Sequence, residues 1–255
     1  MLSLLRSEWY QVRKSLYLKI TIGLIVVLSF WFGSKFTDVA HVHMSNLYTL
    51  YWGGSICQWM CDSAMGLLLA SLFAGWMIGG SFENRTIQEA ISYGKKRSAV
   101  YLAKMIMYSL VVIVLCLLYW CAAAAPTGIK NGMGTEEICG NLCHVPYMIG
   151  MVAAGGLANI SLFMVCGVIA FCVRKTGTTM GICFVCILAG GNLLASVVPE
   201  NIAEIIRYTP LALYTHVTKT DVTWSDIVQT AGISLLWIIG LGAVGYYIFQ
   251  KAELK

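Results

Sequence analysis

Six apolar stretches, at roughly residues 16–34, 62–81, 105–125, 147–172, 179–198 and 228–249, leave this chain few folds to choose from. Each is long enough to cross a bilayer as a helix, for which about 20 residues suffice. Hydrocarbon offers no partner to a stray backbone amide, so such segments are expected to pair their backbone internally. The expected fold class is therefore an all-α integral membrane protein with six transmembrane helices. The charged fraction supports this, since only 11% of residues are charged while 58% are hydrophobic, against about 25% charged in soluble domains. The spans use up residues 1–255 as one membrane domain and leave no room for a soluble one.

Charge sets the expected orientation. With both termini in the cytoplasm, 13 of the 17 Lys and Arg residues fall inside, among them Arg6, Arg13, Lys14, Arg85, Lys95, Lys96, Arg97, Lys104, Arg174 and Lys175. Only Lys35, Lys130, Arg207 and Lys219 fall outside, a strong positive-inside bias for a multi-pass protein of the cell membrane. The net charge of +5 thus follows from topology and calls for no nucleic acid. All four prolines, Pro126, Pro146, Pro199 and Pro210, are placed in outer segments where they interrupt no span. The first span reads as a retained signal-anchor, because no small-residue cleavage site follows it. Before it, residues 1–14 mix Leu4, Leu5, Trp9 and Tyr10 with Arg6, Glu8, Arg13 and Lys14, as suits an amphipathic helix lying in the headgroup plane.

The most patterned polar segment runs from Phe82 to Lys104, between the second and third spans. Thr86-Ile-Gln-Glu89 has the form of a capping box, and Gly94 stands where a helix end favours a left-handed residue. Lys95, Lys96 and Arg97 follow at the negative end of the helix dipole. Ile87, Ala90 and Ile91 share one face. A second short amphipathic helix is expected on the outer surface between Pro199 and Trp224, where Ile202, Ile205 and Ile206 alternate with Glu200, Glu204 and Arg207.

Catalytic patterns are missing. No Gly-x-x-x-x-Gly-Lys-Ser/Thr, His-Glu-x-x-His or Gly-x-Ser-x-Gly occurs, and no charge is placed deep in a span, which argues against an enzyme and against a proton- or sodium-driven carrier. The 34–61 and 126–146 segments read as long outer loops. Of the ten cysteines, Cys139 and Cys143 lie beside His144 in the second of these. A local disulfide or free thiols suit that spacing better than a metal centre completed by His41 and His43. In the second span Ser71, Gly75 and Gly79 recur every fourth position, for close packing within the subunit or at a subunit interface. Asn159 and Ser161, with Asn192 and Ser196, are the polar groups at depth, bonding between helices or lining a weakly polar substrate cavity.

Taken together, these features resemble the permease subunits of type-2 ABC transporters, the ABC-two family, over the whole length. The most specific likeness is Phe82-Glu-Asn-Arg-Thr-Ile-Gln-Glu-Ala-Ile-Ser-Tyr-Gly-Lys-Lys-Arg-Ser-Ala-Val-Tyr-Leu-Ala-Lys104. Within the family, the chain is most similar to small exporters of lantibiotics or of phenol-soluble-modulin-type peptides. The resemblance implies a cytoplasmic coupling helix within residues 83–97 that docks on a separate ABC ATPase. Thr86, Ile87, Glu89, Ala90, Ile91, Tyr93 and Arg97 would make that contact, with Ile87 and Ile91 as apolar anchors. Arg6, Glu8, Trp9 and Arg13 of the in-plane helix would make a second. It also implies a second permease subunit and an amphipathic peptide substrate. ATP and magnesium would bind in the partner, so no cofactor is expected in this chain. Export of drugs, lipids or ions, or a non-pumping peptide immunity or sensor protein, are the alternatives.

Overall fold

The computed structural model describes residues 2–40, 51–61, 63–132, 144–197, 208–210, 213, 217 and 222–251. Of these, 90% are helical and none forms a strand. The helices are α1 (Leu2–Lys14), α2 (Leu16–Ala40), α3 (Trp52–Cys61), α4 (Ser63–Phe73), α5 (Gly80–Glu83), α6 (Thr86–Ser92), α7 (Arg97–Asn131), α8 (Val145–Val173), α9 (Thr176–Val197) and α10 (Trp224–Lys251). A π-helical turn, Ala74–Gly79, joins α4 to α5, so the second apolar stretch is one helical rod with a widened turn in it. Among the described residues, five segments are long and apolar enough to cross a membrane: Leu16–Lys35, Met65–Glu83, Arg97–Asn131, Val145–Val173 and Trp224–Lys251. The expected fifth stretch falls on the 22-residue α9, whose described side chains end at Cys186.

Helix α7 is the axis of the packing. Tyr101, Tyr108, Leu115, Cys116 and Ala124 are buried along it, and α2, α3, α8 and α1 pack around it. The Tyr108 hydroxyl is 3.1 Å from the Ala70 carbonyl and 3.0 Å from that of Phe163, so one buried phenol ties α4 and α8 to α7. Small residues set the close approaches. A Cβ at Gly33 would meet the carbonyl oxygen of Ala123 on α7. One at Gly79 would lie 3.0 Å from the Thr176 backbone, and one at Gly75 would lie 2.9 Å from the Thr176 carbonyl oxygen. Gly75 and Gly79 therefore serve packing inside the subunit, against the start of α9; Ser71 is buried beside them, its hydroxyl donating to Leu68 O. Helices α2 and α10 turn most of their apolar surface outward.

Three expectations are corrected. Residues 52–61, read as loop, form α3, which packs on α7 and buries Ile56 and Met60. Pro126 lies inside α7, which runs on to Asn131; a proline this near the C-terminus costs one backbone bond without ending the helix. Helix α7 also starts eight residues before the expected 105, since Arg97 to Lys104 continue its first turns. The expected outer helix between Pro199 and Trp224 lies largely outside the described residues, as do His41, His43, Cys139 and Cys143.

Candidate functional site

The end of the bundle that carries α6 gathers four chain segments. They are the N-terminal helix α1, the α5–α6–α7 connection, the Arg174–Lys175 turn between α8 and α9, and the last turn of α10. The shared placement is fixed by side-chain bonds. Lys104 Nζ donates to Glu8 Oε2 at 2.7 Å and to Ser81 Oγ at 2.7 Å, and its side chain is 4% exposed. Thr86 Oγ1 donates to the Ser81 carbonyl at 3.1 Å. Glu83 accepts from the Thr176 backbone amide at 3.0 Å and from its hydroxyl at 2.6 Å, and so caps the N-terminus of α9. Arg97 donates to the Gln250 carbonyl at 3.1 Å, at the C-terminal end of α10.

Beneath these bonds lies an aromatic cluster. Phe171 sits 4.8 Å from Tyr101, 5.3 Å from Phe249 and 5.9 Å from Phe82, ring to ring. The Tyr101 hydroxyl donates to Gly242 O at 2.9 Å, and the Arg174 guanidinium lies 5.9 Å from the centre of the Phe82 ring. Four helices, α5, α7, α8 and α10, thus meet at this cluster.

Helix α6 is built differently from its sequence motif. Its N-cap is Arg85, held in the left-handed region at φ 57° with no side-chain cap, so the Thr86–Glu89 capping box does not form. The turn after Glu83 puts Thr86 one residue too far into the helix, and its hydroxyl reaches back to Ser81 instead. The far end does follow the motif: Gly94 has φ 80°, its amide donates to Ile91 O, and that of Lys95 donates to Ala90 O, a Schellman pair. Glu89 stays in the first turn, near the positive end of the dipole.

The residues expected to meet a partner divide into two sets. Ile87 is 1% exposed and packs into the bundle, so it is no free anchor; Ala90 and Ile91 are half-buried against the same core. Glu8 and Arg97 are committed to Lys104 and Gln250. Glu89 and Tyr93 on α6, with Lys95 and Lys96 after it, face out, Tyr93 at 83% exposure. On α1 Arg6, Trp9 and Arg13 are exposed. Pattern reading missed Ser81, Glu83 and Lys104 as bracing groups. The Tyr-Leu-x-Lys run before the third span was the one signal that could have pointed to Lys104.

Two of the four polar groups at depth bond within their own helix. Asn159 and Ser161 are buried and donate to Gly155 O (2.9 Å) and Ala158 O (2.6 Å) of their own helix. The side chains of Asn192 and Ser196 lie outside the description. A roomy apolar space lies toward the other end of α7 and α8. It is a groove of about 460 Å³ lined by Trp52, Ile113, Leu117, Ile149, Val152 and Ile160 among others.

Residues 4–191 match a family model described as ABC-2 family transporter protein. No curated protein matches the chain.

Proposed function

The chain belongs to the ABC-2 family of transporter proteins, and from that premise we propose that it is the membrane-spanning permease subunit of an ATP-driven exporter. In this reading it crosses the membrane six times with both termini in the cytoplasm. A separate ABC ATPase binds ATP and magnesium and does the hydrolysis. The carrying observation is the exposed ridge made by Glu89 on α6 with Tyr93, Lys95 and Lys96 just after it, set on α5, which is tied to α7 through Ser81–Lys104, onward to α1 through Glu8, and to α9 through Glu83–Thr176. A surface that is to receive a push must project outward and be stiff behind.

Helix α6 is the coupling helix in this account. Tyr93 is its apolar anchor on the ATPase, and Lys95, Lys96 and Glu89 are its charged rim. Helix α1 lies in the headgroup plane with Trp9 and Tyr10 half-exposed, and the Lys14 ammonium is 4.5 Å from the Tyr10 ring centre. Two permeases and two ATPases assemble, and closure of the ATPases on ATP rocks the permeases and moves cargo outward or out of the inner leaflet. The cargo proposed is an amphipathic peptide, whose apolar face suits the groove between α7 and α8 better than an ion does.

The test is vanadate-sensitive ATPase activity in the detergent-purified complex pulled down through this chain. Tyr93→Asp should abolish that activity while the permease still accumulates in the membrane. Absence of such activity from the wild-type complex overturns the reading. For cargo, ATP-dependent uptake of a labelled amphipathic helical peptide into inverted vesicles is expected. Peptide binding without uptake would instead favour an immunity or sensor protein.

A further inference from the structure

Glu8 and Lys104 are 96 residues apart and meet at 2.7 Å, with side chains 15% and 4% exposed. A charge so placed is not there for solubility. Separating the pair strands one ion in a poorly solvated place, so its partners are held in a single register. Helix α1 has apolar contacts of its own, since Val12 is buried and Leu4 and Leu5 are packed against the core. Apolar packing tolerates sliding better than a buried ion pair does.

The pair also belongs to a chain of bonds. It runs from Thr86, the first residue of α6, through the Ser81 carbonyl (3.1 Å) and the Ser81 hydroxyl to Lys104 (2.7 Å), and then to Glu8 on α1 (2.7 Å). Ser81 Oγ in turn donates to Met77 O, in the π-helical turn, so its orientation is fixed. Around these groups lies a cavity of about 120 Å³, lined also by Gln11, Trp76 and Asn84, which leaves α1 and the start of α6 apart. Both helices also pack on α7, and the bonded chain is the polar link between them.

We infer that Glu8, Lys104 and Ser81 are positioning residues that lock α1 to the coupling helix, so that the two move as one body when the ATPase pushes. This rests on the coupling role proposed above. Lys104 is the pivot, because its one ammonium holds both sides. Thr86 supplies the last link, and it does so because it is displaced from the N-cap.

The experiment is amide hydrogen exchange on the full complex, the chain with the ATPase that co-purifies with it, in lipid nanodiscs with and without magnesium-ATP and vanadate. In the wild type, residues 2–14 and 86–96 should both change protection on trapping. In Lys104→Met the response of 86–96 should persist while that of 2–14 is lost. Lys104→Arg, which keeps a cation with donors for both Glu8 and Ser81, should retain it. Glu8→Leu, which removes the acceptor, gives the same split where Lys104→Met fails to accumulate. A structural role alone would not separate the two segments. An α1 response undiminished in the single variants, or absent in the wild type while α6 responds, overturns the inference and leaves the coupling role standing. Silence of 86–96 in the wild type overturns the coupling role itself, and the lock with it.

Discussion

Where α1 and α6 sit, polar side chains bind helix to helix through charge and hydroxyl bonds over an aromatic cluster; where α3 meets α7 and α8, apolar side chains leave a groove. The first end holds Glu8–Lys104, Glu83–Thr176 and Arg97–Gln250, with Phe82, Phe171 and Phe249 beneath. Both non-glycine residues with positive φ among the described ones, Arg85 and Arg174, are there too. Such a backbone persists only where its surroundings over-determine it. The second end has Trp52 over Gly128, and Ile129 and Ile149 exposed. The contrast teaches a division of labour. Under the proposed function, a rod that receives work at one end and opens at the other needs ties at the first and slack at the second.

Breaking the ties should hurt most. Lys104→Met leaves the part-buried Glu8 without its cation, and a loss of up to about 3–5 kcal/mol is expected, read as a fall in unfolding temperature in detergent. Adding Glu8→Gln should recover much of that loss. Strictly additive losses would show that the two groups do not act as a pair.

Next comes packing. Gly79→Val drives a side chain into the Thr176 backbone and should cost about 1–3 kcal/mol. Gly181→Val, where nothing lies within 4 Å of the added Cβ, should fall within about 0.5 kcal/mol of wild type. Equal effects at the two glycines would erase the packing asymmetry along this face. A smaller change follows from Tyr101→Phe, which removes the hydroxyl bond to Gly242 O and should cost about 0.6 kcal/mol, as interhelical bonds in membranes do. The least stability change is expected in the groove. Ile149→Ala, at a position 62% exposed, should leave unfolding unchanged and shift only peptide uptake. A large loss of stability there would mean that the groove is structural.

The sequence announced the bundle because length and apolarity suffice to identify a span, whatever its neighbours. It announced Gly94 as well, since a left-handed helix end has a local cause. Groups whose meaning depends on distant partners were hidden. Lys104, just before an apolar run, reads as a surface cation, and nothing near it says that Glu8 turns to meet it. The Thr86–Glu89 motif was overridden by the conformation of Arg85, a turn property the pattern does not encode. Ile87 was legible as apolar, but which way its face points depends on packing, and it points inward. The π-helical turn at Ala74–Gly79 left no recognisable pattern, because its glycines look the same in an ordinary helix.

Photocrosslinking from the two ends tests the account most directly. A benzophenone amino acid is placed at Tyr93 or, as the contrasting position, at Ile129, which is 77% exposed at the far end of α7. The account predicts that Tyr93, and not Ile129, captures a subunit that is itself labelled by azido-ATP. Capture of that subunit from Ile129, or from neither position while the complex hydrolyses ATP, would contradict it.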